Sequence, residues 1–170
     1  ASGNNVVVEE FLTGPEVSVL AFTDGKTLRP MVSSKDHKRA LDGDKGLNTG
    51  GMGTISPNPY YTNEIADECM KTIFLPTVKA MQTEGRPFKG CLYFGLMLTP
   101  DGPKVIEFNA RFGDPETEVV LPKLTSDLGA GINAILNDET PEFIWDEDNA
   151  TLGVVLASEG YPTNVVKGAA

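Results

Sequence analysis

The stretch from Lys104 to Glu118, KVIEFNARFGDPETE, constrains this chain most. Lys104 to Phe108 has the apolar, β-branched character of a buried strand. In extended chain, residues two apart point to the same side. Glu107 and Asn109 would therefore offer a carboxylate and an amide oxygen to one cation. Oxygen-only ligands suit a hard ion such as Mg²⁺, which keeps water and takes further ligands from bound phosphates. Arg111 follows with a planar fork of donors matched to phosphate or acyl phosphate. Carboxylate, amide and guanidinium at this spacing point to phosphoryl transfer. Gly113, Asp114, Pro115 and Glu116 then read as a turn with Pro set for the first turn of a helix, which gathers Arg111, Asp114 and Glu116. A solvated strand edge followed by a surface turn is the plainer alternative, but it does not need so many charged groups together.

Upstream, Asn5 to Leu12 reads as a strand and Glu16 to Phe22 as a second. Asp24 and Gly25 then signal a hairpin returning through Lys26 to Ser33. Glu9 and Glu10 are either strand-edge charges or part of a strand end lying along an adenine ring. In that second reading backbone groups near Glu10 and Leu12 read the base edge, and Glu16 accepts from ribose hydroxyls. The following segment contains Gly43, Gly46, Gly50, Gly51 and Gly53, which lets backbone N–H groups approach an anion closely. Long connectors without regular structure are uncommon in compact domains unless functional or disordered, and the apolar Leu47, Met52 and Ile55 argue against disorder. A binding loop is expected. His37, Lys38 and Arg39 form a local cationic patch beside it, suited to a phosphate contact or simply a solvated turn.

Thr62 to Glu84 has helical spacing, with Gly85 as a stop and a kink or break expected at Pro76. Gly90 to Thr99 is a fully apolar strand that turns at Pro100, Asp101 and Gly102 into the Lys104 strand. The run after Glu116 reads as helix interrupted near Pro122 and Thr125, Asn137 to Asn149 as a connector, and Thr151 to Ser158 as another strand. Cys69 and Cys91 read as two buried thiols rather than a disulfide or a metal site. With 170 residues and a formal net charge of -10, the chain is large enough for a core, and nonspecific binding to nucleic acid or anionic lipid is disfavoured. No stretch is long and apolar enough to span a membrane, and Ala1 opens no secretory leader, so a cytoplasmic location is expected.

With these segments placed, the chain resembles the ATP-grasp superfamily and, within it, the glycinamide ribonucleotide synthetase family. The resemblance rests on VVVEEFLTGPEVS at Val6 to Ser18, DHKRALDGDKGLNTGGMGTISP at Asp36 to Pro57, and VIEFNARFGDPETE at Val105 to Glu118. It implies an α+β fold holding the C-terminal half of the ATP-binding domain, an antiparallel sheet with helices, over residues 1–149. Residues 150–170 would begin a C-terminal domain. It also implies ligation of glycine to 5-phosphoribosylamine, with ATP as a substrate and glycyl phosphate as intermediate, in purine biosynthesis. Glu107 and Asn109 then match ligands of Mg²⁺ or Mn²⁺, and Glu9, Glu10, Leu12 and Glu16 match the adenosine contacts. Arg111 matches the cation at the transferred phosphoryl group, and Asp114 and Glu116 fall where the amino acid and amine meet. His37, Lys38 and Arg39 with Asn48, Thr49, Gly50, Gly51, Met52 and Gly53 would cradle the amine substrate.

Two departures from the family pattern follow. The strand Cys91 to Leu98 has Gly95 near the place where many ATP-grasp enzymes carry another metal-binding carboxylate. The nucleotide-holding lysine, the glycine-rich flap and an N-terminal domain are expected upstream of Ala1, which would make this chain one wall of a site. A different ATP-grasp carboxylate–amine ligase would share the EEFL and EFN elements but not DHKR with NTGGMG. A noncatalytic nucleotide-binding fragment is the other alternative.

Overall fold

The structure is a computed structural model that describes residues 3 and 6–168. The strand expected from Asn5 to Leu12 is absent: Asn5 lies outside the described residues, and 6–12 form no regular element. Val6, Val7, Val8 and Phe11 are exposed there. A β-branched run becomes a strand only where a neighbour satisfies its backbone, and this one has no ladder partner among the described residues.

Among the described residues regular structure begins with β1 (Glu16–Thr23), followed by β2 (Leu28–Pro30), antiparallel to it. Asp24 shapes the turn between them, its carboxylate accepting from the N–H groups of Lys26 and Thr27 at 2.7 and 2.6 Å. The segment expected to be one long loop is instead built from short strands. They are β3 (Lys35–Asp36), β4 (Arg39–Leu41), β5 (Lys45–Asn48) and β6 (Gly53–Ser56), with β4 and β5 forming an exposed hairpin. Gly43, Gly50 and Gly51 lie in the connections between these strands, and Gly46 and Gly53 lie within β5 and β6.

Thr62 caps α1 (Asn63–Cys69) by accepting from Ile65 N. A π-helical stretch, Met70–Phe74, leads into α2 (Leu75–Thr83), so the break expected at Pro76 is realised one turn earlier as a widened helix. β7 (Gly90–Thr99) coincides with the apolar run, and β8 (Gly102–Asn109) returns antiparallel. The helical region after Glu116 divides into α3 (Thr117–Val120), a 3₁₀ turn at Leu121–Lys123, and α4 (Leu128–Leu136), interrupted where Pro122 and Thr125 require it. β9 (Thr151–Val154) is shorter than expected and pairs with β6.

The main sheet runs β2-β1-β7-β8, and a second sheet runs β3-β6-β9. Ser18 and Ser34 stitch them together through reciprocal backbone bonds of 3.0 and 2.9 Å. One face of the main sheet packs Val17, Val19, Ala21, Phe94 and Leu96 under Cys69, Phe74 and Val78 of the first helical region. The other packs Leu20, Phe22, Cys91 and Tyr93 under Val119, Val120 and Ile135. Cys69 and Cys91 are free thiols, both buried, and burial pushes the Cys91 thiol up to about 12. No helix among the described residues is long and apolar enough to cross a membrane.

Candidate active site

The register of β8 decides which way its polar residues face. Leu96 pairs with Val105 and Gly95 with Glu107, so Ile106 is an extra residue that bulges out of the ladder. The bulge lets Val105 join the apolar face while Glu107 and Asn109 turn to the other. Asn109 Nδ2 donates to Glu107 Oε1 at 3.2 Å, leaving Glu107 Oε2 and the Asn109 amide oxygen on that side. Directly opposite lies Gly95. A Cβ there would sit 2.9 Å from Glu107 Cγ and 3.4 Å from the Tyr93 ring, so the absent side chain on β7 makes room for the Glu107 stem.

Behind this pair is a closed polar network. Glu116, only 3% exposed, accepts at Oε1 from Ser18 Oγ (3.1 Å) and from Tyr93 OH (2.9 Å), and the two hydroxyls are 2.8 Å apart. Burial and the Glu116 charge push the Tyr93 phenol far above its ordinary range. Glu116 is therefore not gathered with Arg111 and Asp114 as the turn implied. The helix starts after it and its side chain folds inward, whereas Arg111 and Asp114 remain exposed, with Arg111 Nη1 donating to Phe112 O at 2.8 Å.

β3 brings a second group to the same region. Asp36 Oδ1 is buried without a hydrogen-bond partner among the described residues. Burial first, then the neighbouring Glu116 charge, push its pKa up to about 7, against the pull of Lys38. Lys38 pairs with Glu16 at 3.2 Å. Burial alone would lower the Lys38 pKa, but Glu16, Asp36 and Glu107 together hold it above its usual value. This links the Glu107 end of β8 electrostatically to the start of β1.

An open cavity of about 810 Å³ lies beside these groups. Of the residues singled out in the sequence, Glu16, His37, Lys38, Arg39, Asn48 and Met52 line it. Lys35, Asp36 and Tyr60 also line it and were missed; Lys35 Nζ stands 5.0 Å over the Tyr60 ring. A lysine two residues before the lone histidine was the available signal. Arg39 Nη1 is held by Gly46 O at 2.8 Å. Thr49 Oγ1 donates to Lys38 O and accepts from Gly51 N, while Met52 N donates to His37 O and His37 N to Gly53 O. The glycine-rich strand is thus fastened along its length to the cationic one. Gly51 has φ +129° and no room for a side chain: a Cβ would lie 2.4 Å from Pro115 Cδ and 2.8 Å from Asp36 Oδ1. Glu9 is exposed, and Glu10 reaches Lys104 Nζ at 2.7 Å from both carboxylate oxygens. Leu12 is half-buried in the same irregular segment.

Residues 1–117 match the family described as phosphoribosylglycinamide synthetase, ATP-grasp (A) domain. The chain belongs to this ATP-grasp family. Among curated relatives of this family, phosphoribosylamine–glycine ligase of Listeria monocytogenes is 56% identical over 163 residues, covering 96% of this chain and 39% of that protein. Its namesake in Halalkalibacterium halodurans is 55% identical over 167 residues, covering 98% and 39% respectively. The crystal structure of the Thermotoga maritima phosphoribosylamine–glycine ligase superposes with a TM-score of 0.81 at 34% identity, covering 91% of this chain and 39% of the other. The α+β arrangement of antiparallel sheets and helices is thus that of an ATP-grasp protein, and ATP is the nucleotide this family uses. The chain spans about two fifths of the length of these relatives.

The donor set on β8 fits a hard divalent ion. It offers a carboxylate and an amide oxygen on one face, and no group of three or more His, Cys, Asp or Glu side chains among the described residues is arranged to hold a metal alone. Such an ion would complete its shell with water and nucleotide phosphates.

Proposed function

We propose that this chain forms one wall of the active site of a phosphoribosylamine–glycine ligase, joining glycine to 5-phosphoribosylamine with conversion of ATP to ADP and phosphate in purine biosynthesis. The observation that carries this reading is the identity sustained over nearly the whole chain with proteins of that name. The polar end of β8 supports it, because Glu107 and Asn109 share a face and Arg111 stands exposed beyond them.

In this reading a glycine carboxylate oxygen attacks the γ-phosphorus of ATP, the bond to the bridging oxygen breaks, and ADP leaves glycyl phosphate behind. The amine nitrogen of phosphoribosylamine then attacks the glycyl carbonyl, the carbon–oxygen bond to phosphate breaks, and phosphate and a proton depart. Positioning and charge stabilisation supply most of the rate in such chemistry. Glu107 and Asn109 would hold Mg²⁺ or Mn²⁺, which would supply charge screening to the phosphates. Arg111 uses one donor on Phe112 O and keeps the rest of its fork for the phosphoryl and acyl phosphate oxygens. Asp114 stands at the rim where glycine and the amine meet, and Glu116 acts from beneath through Ser18 and Tyr93. Glu9, Glu10, Leu12 and Glu16 border the adenosine. His37, Lys38 and Arg39, with Asn48 to Gly53, receive the phosphorylated amine.

A division between the ATP-grasp half at 1–149 and the start of a further domain at 150–170, and a cytoplasmic location, belong to the same proposal. The test is ADP release by the full-length protein that carries this chain. Release is expected only when glycine and phosphoribosylamine are both present; release with either one alone, or with another amino acid at equal efficiency, overturns the reading.

A further inference from the structure

The segment that follows the connector is tied to the glycine-rich strand at points that the proposed chemistry leaves unused. Gly53 pairs with Val154, and Val155 N donates to Met52 O at 3.0 Å. The approach is close enough that a Cβ on Gly53 would fall 2.6 Å from Gly153 O. Beyond β9 the chain closes on itself: Tyr161 N donates to Ser158 O, Thr163 N and Asn164 N to Gly160 O, and Val166 N to Glu159 O. This self-bonded turn presents a half-buried Tyr161 whose hydroxyl accepts from Gly50 N–H at 3.0 Å, across 111 positions of sequence.

Gly50 and Gly51 are the adjacent residues of the cradle with the most backbone freedom to lose. On one side they are held by Thr49, which bridges Lys38 O and Gly51 N. On the other, the Tyr161 hydroxyl is the side-chain partner of the intervening peptide. Ordering a loop before the ligand arrives removes a cost that binding must otherwise meet.

We propose that Tyr161 is a positioning residue for the amine-substrate cradle: its hydroxyl fixes the Gly50 peptide, and with it residues 49–53, in the conformation that receives the phosphorylated amine. The inference rests on the functional reading above, in which this loop serves that substrate. The experiment compares wild type with Tyr161→Phe, which keeps the ring and removes only the hydroxyl, in the full-length protein. The KM for phosphoribosylamine is expected to rise about 3- to 10-fold, the range of one net hydrogen bond, with kcat and the KM for ATP unchanged. Amide exchange across residues 49–53 is expected to quicken in the same variant, and Tyr161→Ala should exaggerate both effects.

Faster exchange with an unchanged KM for the amine makes the bond a structural tether only and overturns the proposal. An equal rise in the KM for ATP shows general loosening and overturns it too. If the wild-type protein releases no ADP in response to glycine and phosphoribosylamine together, the functional reading falls and takes this inference with it. An active wild type with an indifferent Tyr161→Phe overturns the inference alone.

Discussion

On one face of the main sheet, β1 and β7 send Val17, Val19, Ala21, Phe94 and Leu96 into a dry layer beneath α1 and α2. On the other face the apolar layer of Leu20, Phe22 and Cys91 gives way, at the end nearest β8, to Ser18, Tyr93 and Glu116. The same strands supply both faces, so strand propensity does not separate them. Burial without hydrogen-bonding atoms supports the fold, whereas burial of a carboxylate requires donors placed in advance and creates a rigid floor under Glu107 and Asn109.

The contrast can be tested from both sides. Phe94→Ala should destabilise the protein by about 3–5 kcal/mol in denaturant unfolding, because Phe94 is fully buried between the Phe74 and Phe108 rings. Glu107→Gln should leave the unfolding midpoint in place while lowering turnover about 100-fold, measured as ADP release at saturating substrates; equal losses of stability and activity would erase the distinction between the faces. Tyr93→Phe should cost about 1–3 kcal/mol in the same unfolding assay, since it removes one of the two hydroxyls that Glu116 Oε1 accepts from.

The last test is a pH dependence. Asp36 has an ordinary value of 3.8 and a folded one of about 7, so the folded chain keeps a proton that the unfolded chain releases between those values. Its contribution to stability therefore falls as pH rises from about 4 to about 7 and is level above that. Thermal unfolding across this window should show a slope in wild type that Asp36→Asn flattens. Glu116, Glu16 and Lys38 are the charged groups that act on Asp36, and a slope unchanged in Asp36→Asn would show that Asp36 is not its source.

Much of the scaffold could be read from sequence, because its signals are local. β7 is a continuous apolar run ending in a Pro-Asp-Gly turn, and α1 starts at a threonine cap. The failures are places where a distant partner decides. Residues 6–12 have strand composition but no ladder neighbour, and the glycine-rich region found partners in β9 that no local pattern announces. Glu107 and Asn109 were rightly placed on one side of a strand, yet plain alternation would have set them beside Val105 on the face covered by α1 and α2. The bulge at Ile106 reverses that, and it depends on how β8 meets Gly95. The turn's clustered charge suggests Glu116 beside Arg111 and Asp114; its burial depends on Ser18 and Tyr93, far away in sequence.

The π-helical stretch at Met70–Phe74 gives the first helical region a joint with its own phase. Leu75 N reaches back five residues to Met70 O, and the wider turn sits where the Pro76 ring would otherwise press on the preceding carbonyls. Cys69 before the joint and Phe74 and Val78 at or after it all reach the same apolar layer. The π turn takes up one residue more than an α-helical turn, so the same sequence wound as a plain α-helix would set α1 about 100° out of phase with α2. The segment that looks least regular is thus what keeps two helical pieces in step on one sheet.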